Sequence, residues 1–194
     1  MLRSSRCPAA LAPSLAPALL ALCLSLPSAA AAEPPAPKPA PAKACPAPGT
    51  AAPVFTLPRA RGGDEVSLRA LLAQKRPVVL DFWRHDCTPC LLELPVLQKL
   101  AAEWGERAQV VTVHHGDPEE KMLDALEKMS VTLPTGFDSY RSVGDRYCVE
   151  AYPRTFVLDG SGVIRQVLAG DTKGFEKALR GAVEPLLVAG AKGK

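Results

Sequence analysis

The stretch Val78-Val79-Leu80-Asp81-Phe82-Trp83-Arg84-His85-Asp86-Cys87-Thr88-Pro89-Cys90 decides the fold. Its first six residues are apolar apart from Asp81, the pattern of a strand buried on both faces. Arg84-His85-Asp86 makes a polar turn, and from Cys87 to about Trp104 the pattern is helical, with a bend expected at Pro95. A thiol at a helix start meets unpaired N–H groups and the positive end of the helix dipole, both of which favour the thiolate. Cys87 is therefore expected to have a lowered pKa. Cys90 lies three residues on, on the same helix face, where it can close a small disulfide ring and be shielded. Pro89 fixes its own φ and restricts Thr88, which holds the ring in shape.

Working outward, strand and helix patterns alternate. Residues 54–57 read as a short strand, Gly62-Gly63-Asp64 as a turn and residues 66–68 as a hairpin partner, with Ser67 capping a short helix that ends near Gln74. Residues 109–114 are the next strand. Asp117-Pro118 opens a helix to Met129 with Pro118 at its first position, and residues 139–147 read as helical. Two strands, 155–158 and 163–168, flank the turn Asp159-Gly160-Ser161-Gly162, and an amphipathic helix spans about 172–188. The order βαβα followed by ββα predicts an α/β fold: a three-layer sandwich whose central mixed sheet is flanked by helices.

The 194 residues divide by composition. Residues 1–32 carry Arg3 and Arg6, then a Leu/Ala-rich stretch from Leu11 to Leu26, then small residues, the order of a secretory signal peptide cleaved near Ala32. An uncleaved anchor is the competing reading, but the apolar stretch is short and holds Pro13 and Pro17, with Pro27 just after it. Lipidation at Cys23 is disfavoured because Leu22 is not small. Residues 33–53 are rich in Pro and Ala and read as an extended linker; residues 54–190 form the domain. Without residues 1–32 the chain has 21 basic and 20 acidic residues, so charge gives no pointer to nucleic acid. Four cysteines then remain, Cys45, Cys87, Cys90 and Cys148, and an even number in an exported chain is compatible with disulfides. A zinc site is disfavoured: no second closely spaced Cys/His pair is present, and the adjacent His114 and His115 point apart on a strand.

With these residues in view, the chain resembles the thioredoxin superfamily, in its TlpA/ResA-like periplasmic or membrane-tethered branch. The resemblance covers residues 52–187 and rests on Asp81-Phe82-Trp83, Cys87-Thr88-Pro89-Cys90, Glu93-Leu94-Pro95, Tyr152-Pro153-Arg154-Thr155-Phe156 and the hairpin after Asp159. It implies a thiol–disulfide oxidoreductase. In that family's terms Cys87 exchanges with the substrate, Cys90 resolves the mixed disulfide, Asp81 exchanges protons with Cys90, and Glu93 assists. Pro153 is expected cis and facing Cys87, with Tyr152 offering backbone groups to a client strand beside Trp83, Thr88 and Pro89. Trp83 reads as core or as platform. No metal and no cofactor beyond the cysteine pair is implied. Partners would be protein thiols or disulfides and a membrane or periplasmic electron donor, the protein being a periplasmic monomer, tethered if its signal segment is kept. The branch favours a reductant serving apocytochrome c, copper-site or general envelope thiols.

One departure stands out. Relatives carry an aromatic residue before the first cysteine; here it is Asp86, whose charge opposes the helix dipole and raises the Cys87 pKa unless Arg84 and His85 offset it. Cys148 occupies a position where relatives carry a small residue, and reads as a small buried thiol; a disulfide to Cys45 is the sharper alternative. The competing function is a copper metallochaperone holding metal with Cys87, Cys90 and a histidine such as His114. A peroxidase is disfavoured because Arg84-His85-Asp86 does not supply the Pro-led loop with Thr and Arg that a peroxidatic cysteine requires.

Overall fold

The computed structural model describes residues 44–116, 118–170 and 173–191. The segment read as a signal peptide, the part of the expected linker up to Lys43, and the helix starts assigned to Asp117 and Thr172 lie outside the described residues. The strand Val78–Trp83 is buried at all six positions, and it sits at the centre of a five-stranded sheet.

In chain order the elements are β1 (Thr56–Leu57), β2 (Val66–Ser67), α1 (Leu68–Ala73), β3 (Val78–Trp83), α2 (Thr88–Trp104), β4 (Gln109–His115), α3 (Glu119–Lys128), β5 (Thr135–Asp138), α4 (Ser142–Arg146), β6 (Arg154–Leu158), β7 (Ile164–Ala169) and α5 (Phe175–Ala191). The sheet runs β5-β4-β3-β6-β7. β4 lies parallel to β3 and β5 parallel to β4. β6 and β7 are antiparallel to their inner neighbours, so the sheet is mixed. Strand alternation sends Val79, Asp81 and Trp83 to one face and Val78, Leu80 and Phe82 to the other. The first face is covered by Leu94, Leu97 and Leu100 of α2, Met122 and Leu126 of α3, and Leu179 and Val183 of α5. The second packs with Leu68, Val143, Tyr147 and Phe156.

Several boundaries differ from expectation. α2 begins at Thr88, and Cys87 is its N-cap, its Sγ accepting from the Cys90 N–H at 3.2 Å. Pro118 is the N-cap of α3 rather than its first residue. Ser67 precedes α1 without a side-chain capping bond; instead Thr56 Oγ1 donates to its hydroxyl across the β1–β2 ladder. α4 covers only Ser142–Arg146. Strand β5 was not foreseen. It has four residues, includes Gly136, and follows Pro134, so it shows no alternation; pairing with β4 makes it a strand. Gly136 leaves little room there: a Cβ would meet Leu57 Cδ1 at 3.0 Å, where the β1–β2 hairpin lies over the sheet.

The larger correction concerns residues 44–53, assigned to the linker by composition. Gly49 N–H bonds the Ile164 carbonyl at 2.8 Å, Ile164 N–H returns to the Thr50 carbonyl at 2.9 Å, and Ala52 N–H reaches the Gly162 carbonyl at 2.9 Å. The segment is an arm laid beside the start of β7. Its first part carries Cys45, which is joined to Cys148 with Cα atoms 5.6 Å apart. Cys148 is therefore not the small buried thiol expected: it is half-exposed, lies just past α4 in the left-handed region at φ 52°, and is a half-cystine. No helix among the described residues is long and apolar enough to cross a membrane.

Candidate redox-active site

Cys87 and Cys90 form a disulfide at the N-terminus of α2. Cys87 is half-buried and Cys90 fully buried, so one sulfur is presented to a partner and the other kept inside. Thr88 is exposed and Pro89 half-buried in the first turn, where the missing proline N–H leaves no helical bond unmade. The turn before the helix is closed by Cys87 N–H bonding the Arg84 carbonyl at 3.3 Å. Arg84 also clasps Asp86 through two bonds of 2.8 Å. This pairing holds the Asp86 carboxyl down at about 2, and it places a cation against the charge that precedes Cys87.

Asp81 lies on the same sheet face as α2 and is 1% exposed. Burial pushes its carboxyl well above the usual range; a 2.7 Å bond from Thr155 Oγ1 opposes that, and the Glu93 carboxyl adds to it. Glu93 follows Cys90 by one helical turn and is also 1% exposed, so it is not a surface acid. Burial and the neighbouring Glu93 carboxyl both favour the protonated form of Asp81. Trp83 is fully buried, donates to Thr112 Oγ1 at 3.3 Å and stacks edge-on against His114. Of its two readings, core is the one its surroundings fit.

The Tyr152–Pro153 peptide bond is cis. It leads into β6, whose Arg154 pairs with Phe82 of β3. That register places Pro153 beside the end of β3, where the chain turns toward Cys87. Pro153 is buried and Tyr152 half-buried, and the Arg84 guanidinium stands 5.9 Å from the centre of the Tyr152 ring.

The two histidines of β4 do face apart. His114 is enclosed by Trp83 and Phe137, and its Nε2 takes the His85 N–H at 3.3 Å. Burial first, and then the charges of His85 and Arg84, push its pKa down to about 3. Its ring is turned toward His85 rather than held among ligands, and among the described residues no group of three or more His, Cys, Asp and Glu side chains is placed to hold a metal ion. On the other face His115 Nε2 bonds Asp138 Oδ2 at 3.0 Å, and its Nδ1 bonds the Tyr152 hydroxyl. Neither His115 nor Asp138 carries a sequence signal that marks it as part of the site. His115 lies 37 residues from Tyr152 and 23 from Asp138 along the chain, and a long-range polar chain leaves no local pattern.

Residues 48–167 match the AhpC/TSA family. The thioredoxin-like protein YneN of Bacillus subtilis is 34% identical over 125 residues, covering 63% of this chain and 71% of its own. The thiol-disulfide oxidoreductase ResA of Geobacillus kaustophilus is 28% identical over 129 residues, 66% of this chain and 72% of its own. A solved structure from Chlorobium tepidum, described as a thiol:disulfide interchange protein DsbE, superposes with a TM-score of 0.68 at 25% identity, covering 73% of this chain and 99% of that one. Its thioredoxin-like α/β architecture is the one seen here, and on the family match and these likenesses the chain belongs to the AhpC/TSA family, as a thiol–disulfide oxidoreductase of the ResA/DsbE type.

Proposed function

We propose that the protein reduces disulfides in exported protein substrates, with Cys87 as the attacking sulfur. The observation that carries this reading is a half-buried Cys87 at a helix N-cap, joined to a buried Cys90 on the helix face that covers the Asp81 side of the sheet. In the reduced protein the Cys87 thiolate attacks one sulfur of a client disulfide. The client S–S bond breaks, a mixed disulfide forms and one client thiolate leaves. In molecules whose Asp81 is ionised, Cys90 gives its proton to that carboxylate and attacks the Cys87 sulfur, closing the internal disulfide and releasing the second client thiolate. The client gains two electrons and the cysteine pair loses two; a membrane or periplasmic thiol donor restores the pair. Glu93 helps hold the proton. Thr88, Pro89, Tyr152 and cis Pro153 form the edge on which a client strand lies, and Trp83 supports that edge from beneath.

Apocytochrome c, copper-site and general envelope thiols are the client classes this reading takes. Arg84 offsets part of the Asp86 charge; what is left opposes the Cys87 thiolate, and a less acidic attacking thiol is a weaker oxidant, which favours a reductant. Composition of residues 1–32 and the second disulfide both favour an oxidising compartment such as the periplasm. Equilibration with glutathione tests the direction: a potential near thioredoxin's, about −270 mV, is expected, and one near that of DsbA, about −120 mV, would overturn the reductant role. Cys87→Ser is expected to abolish insulin reduction, and Cys90→Ser to trap clients as mixed disulfides. Unchanged reduction by the Cys87→Ser protein would remove the basis of the whole assignment.

A further inference from the structure

We infer that Asp138, His115 and Tyr152 form a positioning chain that fixes the cis-proline edge and, through Arg84, ties it to the turn carrying Cys87. This rests on the proposed reading of that edge as the client's docking strand.

The chain starts from a residue with fixed polarity. Asp138 Oδ2 accepts the N–H groups of Val143 and Gly144, each at 2.9 Å, and Ser142 Oγ donates to Oδ1 at 3.2 Å. Burial alone would raise this carboxyl, but the bonds from His115 and from the α4 backbone hold it below its usual range. An ionised carboxylate only accepts, so His115 Nε2 must be the donor across the 3.0 Å gap. In the neutral ring that choice leaves Nδ1 as an acceptor, and the Tyr152 hydroxyl is its donor. Each bond sets the direction of the next.

A second observation is independent of these bonds. A Cβ at Gly144 would fall 1.5 Å from His115 Cε1 and 1.7 Å from Nε2. The glycine's φ is not in the left-handed region, so its backbone does not demand glycine; the imidazole occupies the space a side chain would need. The far end of the chain reaches the turn that carries Cys87. Tyr152 precedes the cis bond, its ring lies 5.9 Å from the Arg84 guanidinium, and Arg84 is bonded to Asp86, the neighbour of Cys87. One polar chain therefore spans β4, β5, the cis-proline segment and the Cys87 turn.

Tyr152→Phe removes one hydroxyl and keeps the ring. With reduction of insulin by dithiothreitol as the assay, it is expected to raise KM about tenfold, the worth of one hydrogen bond, with kcat changed less than twofold. His115→Gln is expected to move KM in the same direction. Arg84→Gln is expected to have a smaller effect in the Tyr152→Phe background than alone, because the two act on one connection. An unchanged KM in Tyr152→Phe, or equal losses in kcat and kcat/KM, would overturn the inference; a fall in thermal midpoint with KM intact would show a structural network only. Failure of the wild-type protein to reduce insulin would instead count against the proposed client class, so the two outcomes are separable.

Discussion

The two disulfides of this protein have the same chemistry and opposite settings. Cys87 and Cys90 are three residues apart, at the head of a 17-residue helix, with one sulfur buried. Cys45 and Cys148 are 103 residues apart, one exposed in the N-terminal arm and one half-exposed in a turn after α4. The first sits at a helix start, where Cys87 Sγ accepts a backbone N–H, and on the Asp81 side of the sheet; the second has no such setting among its described bonds. A short ring scarcely limits the unfolded chain, whereas a ring closed over about 100 residues removes much of its freedom, about 4.7 kcal/mol in the chain-entropy treatment. Reactivity thus belongs to surroundings and stabilisation to loop length, and the molecule separates the two tasks.

That contrast can be broken most forcefully at Cys148. Cys148→Ser is expected to lower unfolding free energy by about 3–5 kcal/mol, read from urea midpoints. Insulin reduction at 25 °C is expected to stay within twofold of wild type. Activity falling together with stability would mean that the arm and the redox pair are not independent.

Asp81→Asn comes next. Loss of the proton carrier is expected to slow turnover about a hundredfold, close to 2.7 kcal/mol of barrier. The same substitution has a second signature in stability. Asp81 keeps its proton in the folded protein at pH values where the unfolded chain, with its carboxyl near 3.9, has released it. Stability therefore falls as pH rises from that value toward the raised folded one, and levels off above it. Asparagine has no proton to lose, so the variant is expected to lack this slope and to melt higher at pH 7 to 8. A variant melting lower across that range would show Asp81 to be ionised and held by Thr155.

The smallest effect is expected at Asp86. Asp86→Asn removes a charge from beside Cys87 and releases Arg84, and both changes favour the thiolate. Iodoacetamide alkylation at pH 7 is expected to quicken about twofold. A slower reaction would mean that the Arg84–Asp86 pair shapes the turn rather than its charge.

How far the sequence could be read follows from how local each feature is. β3 and the start of α2 were legible because the apolar run, the polar turn and the two cysteines lie within 13 consecutive residues. Asp81 stood out as the lone acid in an apolar strand. β5 was illegible because its identity comes from pairing with β4 and from the fit of Gly136 beneath Leu57. The arm was misread because Pro and Ala content describes a free chain, while its backbone bonds to β7 are made by residues over a hundred positions away. His115 and Asp138 gave no signal for the same reason: they become a unit only when parallel neighbours align Asp138 with His115 in register.

The Tyr152–Pro153 segment takes its footing from more than one strand. It is carried by the strand directly beside β3, at the middle of the sheet, with β7 and β5 outside. Loosening at the β7 rim leaves the Asp138–His115–Tyr152 chain untouched, whereas loosening at the β5 rim reaches the proline through it. The mouth of the enzyme thus has an indifferent flank and a responsive one.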